Sequence, residues 1–190
     1  MNYQYGEEVN YSYSRVTPED YYDIQAFSCG NRRLDYYIHN ELIKNDILDT
    51  DDGLPFKVYD SITGRIIGVF SLAASGIILK MDNYVKILPS IKIDIFAVDI
   101  YFQKMYMEES SKNSQNPEDH FYLSDSIMCD VIKICRNLSE EKLTANYIVL
   151  YADKKAKRFY ERNMFSKFDE YMLREENMEI AENDAMYMLL

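Results

Sequence analysis

The sequence has no tryptophan, three cysteines and two histidines among its 190 residues. Cys29, Cys129 and Cys135 are odd in number, and no two are spaced as CxxC. With only His39 and His120 to add, no zinc-binding constellation can be assembled. Free thiols in a reducing compartment are the expectation, which places the protein in the cytoplasm. Long apolar runs are also missing. The longest, Ile66 to Leu79, is interrupted by Gly68, Ser71, Ser75 and Gly76. It falls short of the ~18–20 residues of a membrane helix and reads as a pair of buried strands. Met1 to Val16 is polar and acidic and lacks the apolar core of a signal peptide. Positive charge is scarce: 21 Lys and Arg stand against 32 Asp and Glu, a net charge of −11. Phosphate backbones and anionic membranes repel such a chain, so nucleic acid and membrane partners are not expected, whereas a cationic substrate such as an amine is mildly favoured.

The sequence is rich in apolar residues (47%), enough to pack a core, and its length suits one domain over residues 1–190. Eighteen tyrosines are read as a bias of composition. Thr17-Pro18-Glu19-Asp20 has the form of a helix start, with a short helix running to about Ile24. Phe27-Ser28-Cys29-Gly30 breaks it. A second helix is predicted from Asn31 to Ile47, with Leu34, Ile38 and Leu42 on one face, followed by an acidic turn from Asp49 to Gly53. Phe56–Asp60 and Arg65–Ala73 read as a hairpin around Ser61-Ile62-Thr63-Gly64. Pro89 precedes a strand over Ile91–Val98.

Glu108 to Asp119 is polar and reads as a mobile loop. Ser124-Asp125 can cap a long helix that turns Ile127, Val131, Ile134, Cys135 and Leu138 inward. A buried strand over Asn146–Ala152, a helix over Lys154–Arg162 and closing strands over Ser166–Arg174 and Ala185–Leu190 complete the pattern. Strand–helix–strand units beside hairpins imply an α/β fold: a mixed, partly parallel sheet with helices on both faces.

Four segments, in order over about residues 15–190, resemble the GNAT acyltransferases. They are Phe27-Ser28-Cys29-Gly30 with Leu34-Asp35; Gly64 to Leu72; Ile95-Phe96-Ala97-Val98-Asp99 followed by Gln103; and Ala156-Lys157-Arg158-Phe159-Tyr160-Glu161-Arg162-Asn163-Met164-Phe165. The last is similar to the family's Ala-x-x-Phe-Tyr-Glu-x-x-Gly-Phe segment, with Met164 at the glycine. The family's Gln/Arg-x-x-Gly-x-Gly/Ala signature, whose glycines let backbone amides approach the pyrophosphate of coenzyme A, is represented here by Gln103-Lys104-Met105-Tyr106-Met107-Glu108. Of these only Gln103 matches. An alternative alignment sets Tyr122-Leu123-Ser124-Asp125 at the signature's end, with Ser124 as its last small residue.

The resemblance implies transfer of an acetyl group from acetyl-CoA to a primary amine on a small molecule, peptide or protein. It is compatible with pairing of two copies. Backbone groups of Phe96, Ala97 and Val98 would bind the pantetheine arm, with Gln103, Ser124 and Asp153 completing the cofactor site. Tyr160 would protonate the departing thiolate. Asp94, which interrupts an apolar strand, is the candidate base. Its competing role is that of a paired surface residue, since Lys92 shares its face. Two other functions fit the same segments. One is a catalytically silent GNAT-like binding domain. The other is a toxin-type GNAT acting on aminoacyl-tRNA, suggested by Phe27-Ser28-Cys29-Gly30 and opposed by the negative charge.

Overall fold

The computed structural model describes residues 9–42, 53–80, 82–107, 112–116, 119–168 and 183–190. The second helix ends at Asn40, with Glu41 as its C-cap, short of the predicted Ile47; residues 43–47, most of the acidic turn after them, parts of the 108–119 loop and the strand beyond Phe168 lie outside the described residues. Among the described residues seven strands form one mixed sheet in the order β1-β2-β3-β4-β5-β7-β6. They are β1 (Tyr11–Arg15), β2 (Leu54–Asp60), β3 (Ile66–Lys80), β4 (Val85–Val98), β5 (Tyr147–Ala152), β6 (Ser166–Lys167) and β7 (Asp184–Leu189). The helices are α1 (Tyr21–Ala26), preceded by a 3-10 turn at Pro18–Asp20, then α2 (Arg32–Asn40), α3 (Leu123–Glu141) and α4 (Lys157–Arg162). Among the described residues no helix is long and apolar enough to cross a membrane.

Contacts group the chain into two compact units, which strands β3 and β4 both enter. The first holds residues up to 50, Leu54–Ser71 and Ile95–Ser126. Its core is Val16, Ile24, Phe27, Ile38, Leu42, Ile66, Val69, Ile95 and Ala97. Strand β1 pairs antiparallel with β2, from Tyr11–Asp60 to Arg15–Phe56. The turn after β2 is fixed by Asp60, whose carboxylate accepts the amides of Ile62 and Thr63, while Gly64 adopts φ +74°. Helix α2 starts at Asn31, whose Oδ1 accepts from the Arg33 and Leu34 amides.

The second unit holds residues 51–53, Leu72–Asp94 and Ile127–Leu190. Here β5 pairs antiparallel with β7 over six positions, from Tyr147–Leu189 to Ala152–Asp184. Parallel pairing with β4 covers only Ser90–Tyr147, Ile91–Ile148 and Lys92–Val149. Ile127, Met128, Val131 and Cys135 of α3 are buried, as are Ile148, Val149 and Leu150 of β5.

Three strands differ from the sequence expectation. Strand β1 lies outside it, because Tyr11-Ser12-Tyr13-Ser14 alternates without aliphatic residues. The Ile66–Leu79 run is one strand of 15 residues, not two. Its small residues fit close neighbours: a Cβ on Gly68 would stand 3.3 Å from the Ala97 carbonyl oxygen. Pro89 lies inside β4, where pairing with β5 begins only at Ser90, so its missing N–H costs no bond on that side.

Candidate functional site

The first unit carries the end of β4 and the turn after it. The Asp99 N–H donates to the Ile67 carbonyl in β3 (2.9 Å). Main-chain groups alternate direction along a strand, so those of Ala97 also face β3. Those of Phe96 and Val98 face the opposite edge. The Val98 carbonyl there accepts a hydrogen bond from Gln103 Nε2 (2.9 Å), and the same amide donates to the Cys29 carbonyl (2.8 Å). Gln103 thus joins the end of β4 to the Phe27–Gly30 loop.

That loop is held from several sides. Asp35 Oδ1 accepts the Cys29 amide and Oδ2 the Ser28 hydroxyl, both at 2.8 Å. The Ile100 amide donates to the Ser28 carbonyl (2.9 Å). His39 Nε2 lies 2.7 Å from the Phe27 carbonyl, which can only accept, so Nε2 carries the proton and His39 is a structural donor. Burial works to raise the pKa of Asp35, but hydrogen bonds from Cys29, Ser28 and Gly30 outweigh it and hold the carboxyl below its ordinary value. Burial, and then Asp35, push the Cys29 thiol up to about 12, so it is no nucleophile at neutral pH.

Helix α3 begins at Leu123, one residue before the expected cap. Ser124 is therefore a buried residue of its first turn. Asp125 is also buried, and its Oδ2 accepts the Tyr122 amide (2.9 Å). The carboxylate thus caps its own helix from within the first turn. The sequence offers Ser124-Asp125 as the cap, and the structure puts the capping contact on Asp125, inside the first turn.

The second unit carries Tyr160, Asp153 and Asp94. Tyr160 lies on α4, only 8% exposed, with its ring edge-on to Phe159 (5.2 Å) and Phe165 (5.8 Å). Burial first, and the Asp153 charge second, push its phenol well above the ordinary tyrosine value, so it carries its proton at neutral pH. Asp153 is exposed, and its Oδ1 accepts the Lys155 amide (2.8 Å), which shapes the turn into α4. Asp94 Oδ1 meets Lys92 Nζ at 2.7 Å, and that ammonium also lies 5.5 Å from the centre of the Tyr151 ring. In the Lys154-Lys155-Lys157-Arg158 cluster, Lys157 pairs with Glu161 and Asp184. Among the described residues no group of His, Cys, Asp and Glu is placed to hold a metal ion.

At Met164 φ is +69°. The Met164 amide donates to the Glu161 carbonyl and the Phe165 amide to that of Tyr160, the bonding of a helix end built for glycine. The backbone here keeps the form that the Ala-x-x-Phe-Tyr-Glu-x-x-Gly-Phe segment implies, with methionine in place of glycine.

No protein-family model matches the sequence, and no curated protein does. Solved structures do match. A Tyr-to-Phe mutant of the AtaT toxin, bound to acetyl-CoA and the C-terminus of the antitoxin AtaR, has a TM-score of 0.63 at 16% identity, covering 94% of this chain and 92% of its own. AtaT complexed with acetyl-methionyl-tRNAfMet has a TM-score of 0.63 at 17% identity, covering 95% of each chain. A Tyr-to-Phe mutant of KacT has a TM-score of 0.61 at 17% identity, covering 94% of each. The topology and this likeness establish the GNAT fold for the chain. The toxins carrying that fold are its structural neighbours.

Proposed function

We propose that the chain is an N-acetyltransferase that uses acetyl-CoA. The observation that carries this reading is the short parallel ladder. Pairing of β4 with β5 ends at Lys92–Val149 although β5 continues to Ala152 and β4 to Val98. In this fold that interruption is where a pantetheine arm adds to the sheet edge. The arm would bond the Phe96 and Val98 edge of β4, while Ala97 faces β3. The amine nitrogen attacks the thioester carbonyl carbon and the C–S bond breaks; as the resemblance implies, Tyr160 would give the departing sulfur its proton and regain one from solvent. The amine proton passes to solvent. Gln103 and Asp35 hold the loop beside the β4 edge, and Ser124 and Asp153 act through local structure. Asp94 serves to hold Lys92.

A narrower reading concerns the acceptor. The neighbours include a toxin complexed with an acetylated aminoacyl-tRNA, which favours the α-amine of aminoacyl-tRNA over a free small amine. Exposed Tyr22 and Tyr36 share the first unit with exposed Arg32 and Arg33, residue types that stack on bases and contact phosphates. They offer a local exception to the acidic whole.

The test is transfer of labelled acetyl from acetyl-CoA to a panel of aminoacyl-tRNAs, free amino acids and polyamines, with Tyr160→Phe in parallel. Acetylated aminoacyl-tRNA formed by the wild type, and reduced at least ~100-fold in the variant, supports both readings. Transfer to free amines alone supports only the broader one. No transfer to any acceptor overturns both and leaves a binding domain.

A further inference from the structure

Residues 103–107 and 120–126, where the resemblance sets the family's glycine-bearing signature, are tied to each other. Tyr106 and Tyr122 form an antiparallel bridge. It is flanked by bonds from the Met107 amide to the Phe121 carbonyl (3.1 Å) and from the Leu123 amide to the Met105 carbonyl (2.8 Å). The two tyrosine rings lie 4.9 Å apart, with His120 edge-on to Tyr106 at 5.2 Å. The first N–H groups of a helix normally lack partners inside the helix and suit an anion. At α3 the amides of Tyr122, Leu123 and Asp125 are already engaged. Tyr122 donates to Asp125 Oδ2, Leu123 to Met105, and both Asp125 and Ser126 to the Tyr122 carbonyl. Asp125, 1% exposed, adds a fixed negative charge at the positive end of the helix.

We propose that Asp125 is a built-in anion that replaces the donor's diphosphate at the start of α3, so that this chain selects acyl thioesters by their pantetheine arm and gains nothing from the nucleotide. This rests on the acetyl-donor reading above. To use the Tyr122 amide a bound diphosphate would have to break the Asp125–Tyr122 bond, and at this helix end it would lie beside a buried carboxylate. The pantetheine part would lie along β4 and does not depend on the amides at the start of α3.

The experiment is calorimetric titration of the full chain and of Asp125→Asn with acetyl-CoA and with acetyl-pantetheine, at one fixed ionic strength. Asparagine keeps an oxygen to accept the Tyr122 amide and removes the charge. Asp125→Ser, which also keeps a cap oxygen, is measured beside it, and melting curves establish which variant is folded. The wild type is expected to bind the two donors within about fivefold of each other. The neutral variant should bind acetyl-CoA at least ~10-fold more tightly, with acetyl-pantetheine unchanged. A wild type that binds acetyl-CoA more than ~10-fold better than acetyl-pantetheine, or a ratio unmoved in the folded variants, overturns the inference and leaves the acetyl-donor reading intact. If neither donor binds any of the proteins, that reading fails and the inference falls with it.

Discussion

Gln103 Nε2 lies 2.9 Å from the carbonyl oxygen of Val98, five residues earlier in the chain. Its second hydrogen bond, to Cys29, makes it the strut between the end of β4 and the Phe27–Gly30 loop. Gln103→Ala leaves two partly buried carbonyls without this donor and is expected to cost about 1–3 kcal/mol of stability. Chemical denaturation measures it. A loss below about 0.5 kcal/mol would show that water replaces the amide without penalty.

Met164 should be improved by becoming glycine. The residue is 79% exposed, so its side chain buries little, while its φ of +69° costs a non-glycine residue about 1 kcal/mol. Extra freedom of glycine in the unfolded chain offsets part of this. Met164→Gly is expected to raise the melting temperature by a few degrees, at about 0.5–1 kcal/mol. A lower melting temperature would mean that the methionine side chain is needed there.

The acid limb of stability should depend on Asp35 and Asp20. For Asp20, as for Asp35, burial alone would raise the pKa, but the Lys57 ion pair and the Thr17 hydrogen bonds bring it below the ordinary value. The unfolded chain then binds protons more readily than the folded one. Stability is constant well above the ordinary aspartate value of about 3.9, and it falls as pH drops below that value through the folded one. Melting temperatures measured from about pH 6 to about pH 2 should fall steeply for the wild type and less steeply for Asp35→Asn. Equal slopes would show that Asp35 titrates alike in both states.

Asp94→Asn tests whether the Lys92 partner is also a base. Because its carboxylate is engaged at 2.7 Å by Lys92, acetyl transfer is expected to fall by no more than about threefold, whereas loss of a general base costs ~100-fold or more. Steady-state rates near pH 8 separate the two outcomes clearly.

Ser90, 3% exposed, keeps a hydroxyl without a hydrogen-bond partner at the start of the parallel ladder. Ser90→Ala is expected to raise stability by up to about 1 kcal/mol, since burying an unpaired hydroxyl is unfavourable. Destabilisation in a denaturant melt would imply that a bound water satisfies it.

Much of the fold is legible because β-branched alternation over Ile91–Val98 and apolar periodicity from Ile127 to Leu138 are strong one-dimensional signals. Strand β1 carries only a short period-two alternation of tyrosine and serine, a strand signal with no aliphatic residues to strengthen it. Small residues make a single long strand look broken. In the candidate site, Tyr160 is marked by its motif, and the pairing of Asp94 with Lys92 is one of the two roles that their shared face allows. Asp125 and Asp35 are harder. Each works through the amides of residues three to six positions away, and the meaning of such a carboxylate depends on where a turn starts.

The pairing of β5 also bears on how the protein is made. Ile148 emerges from the ribosome forty residues ahead of Met188, its partner in β7. Until β7 has been synthesised, the apolar run Ile148-Val149-Leu150 has only the three-residue ladder to β4 available to it. Slowing synthesis between β5 and β7 is therefore expected to lengthen the exposure of this segment to aggregation.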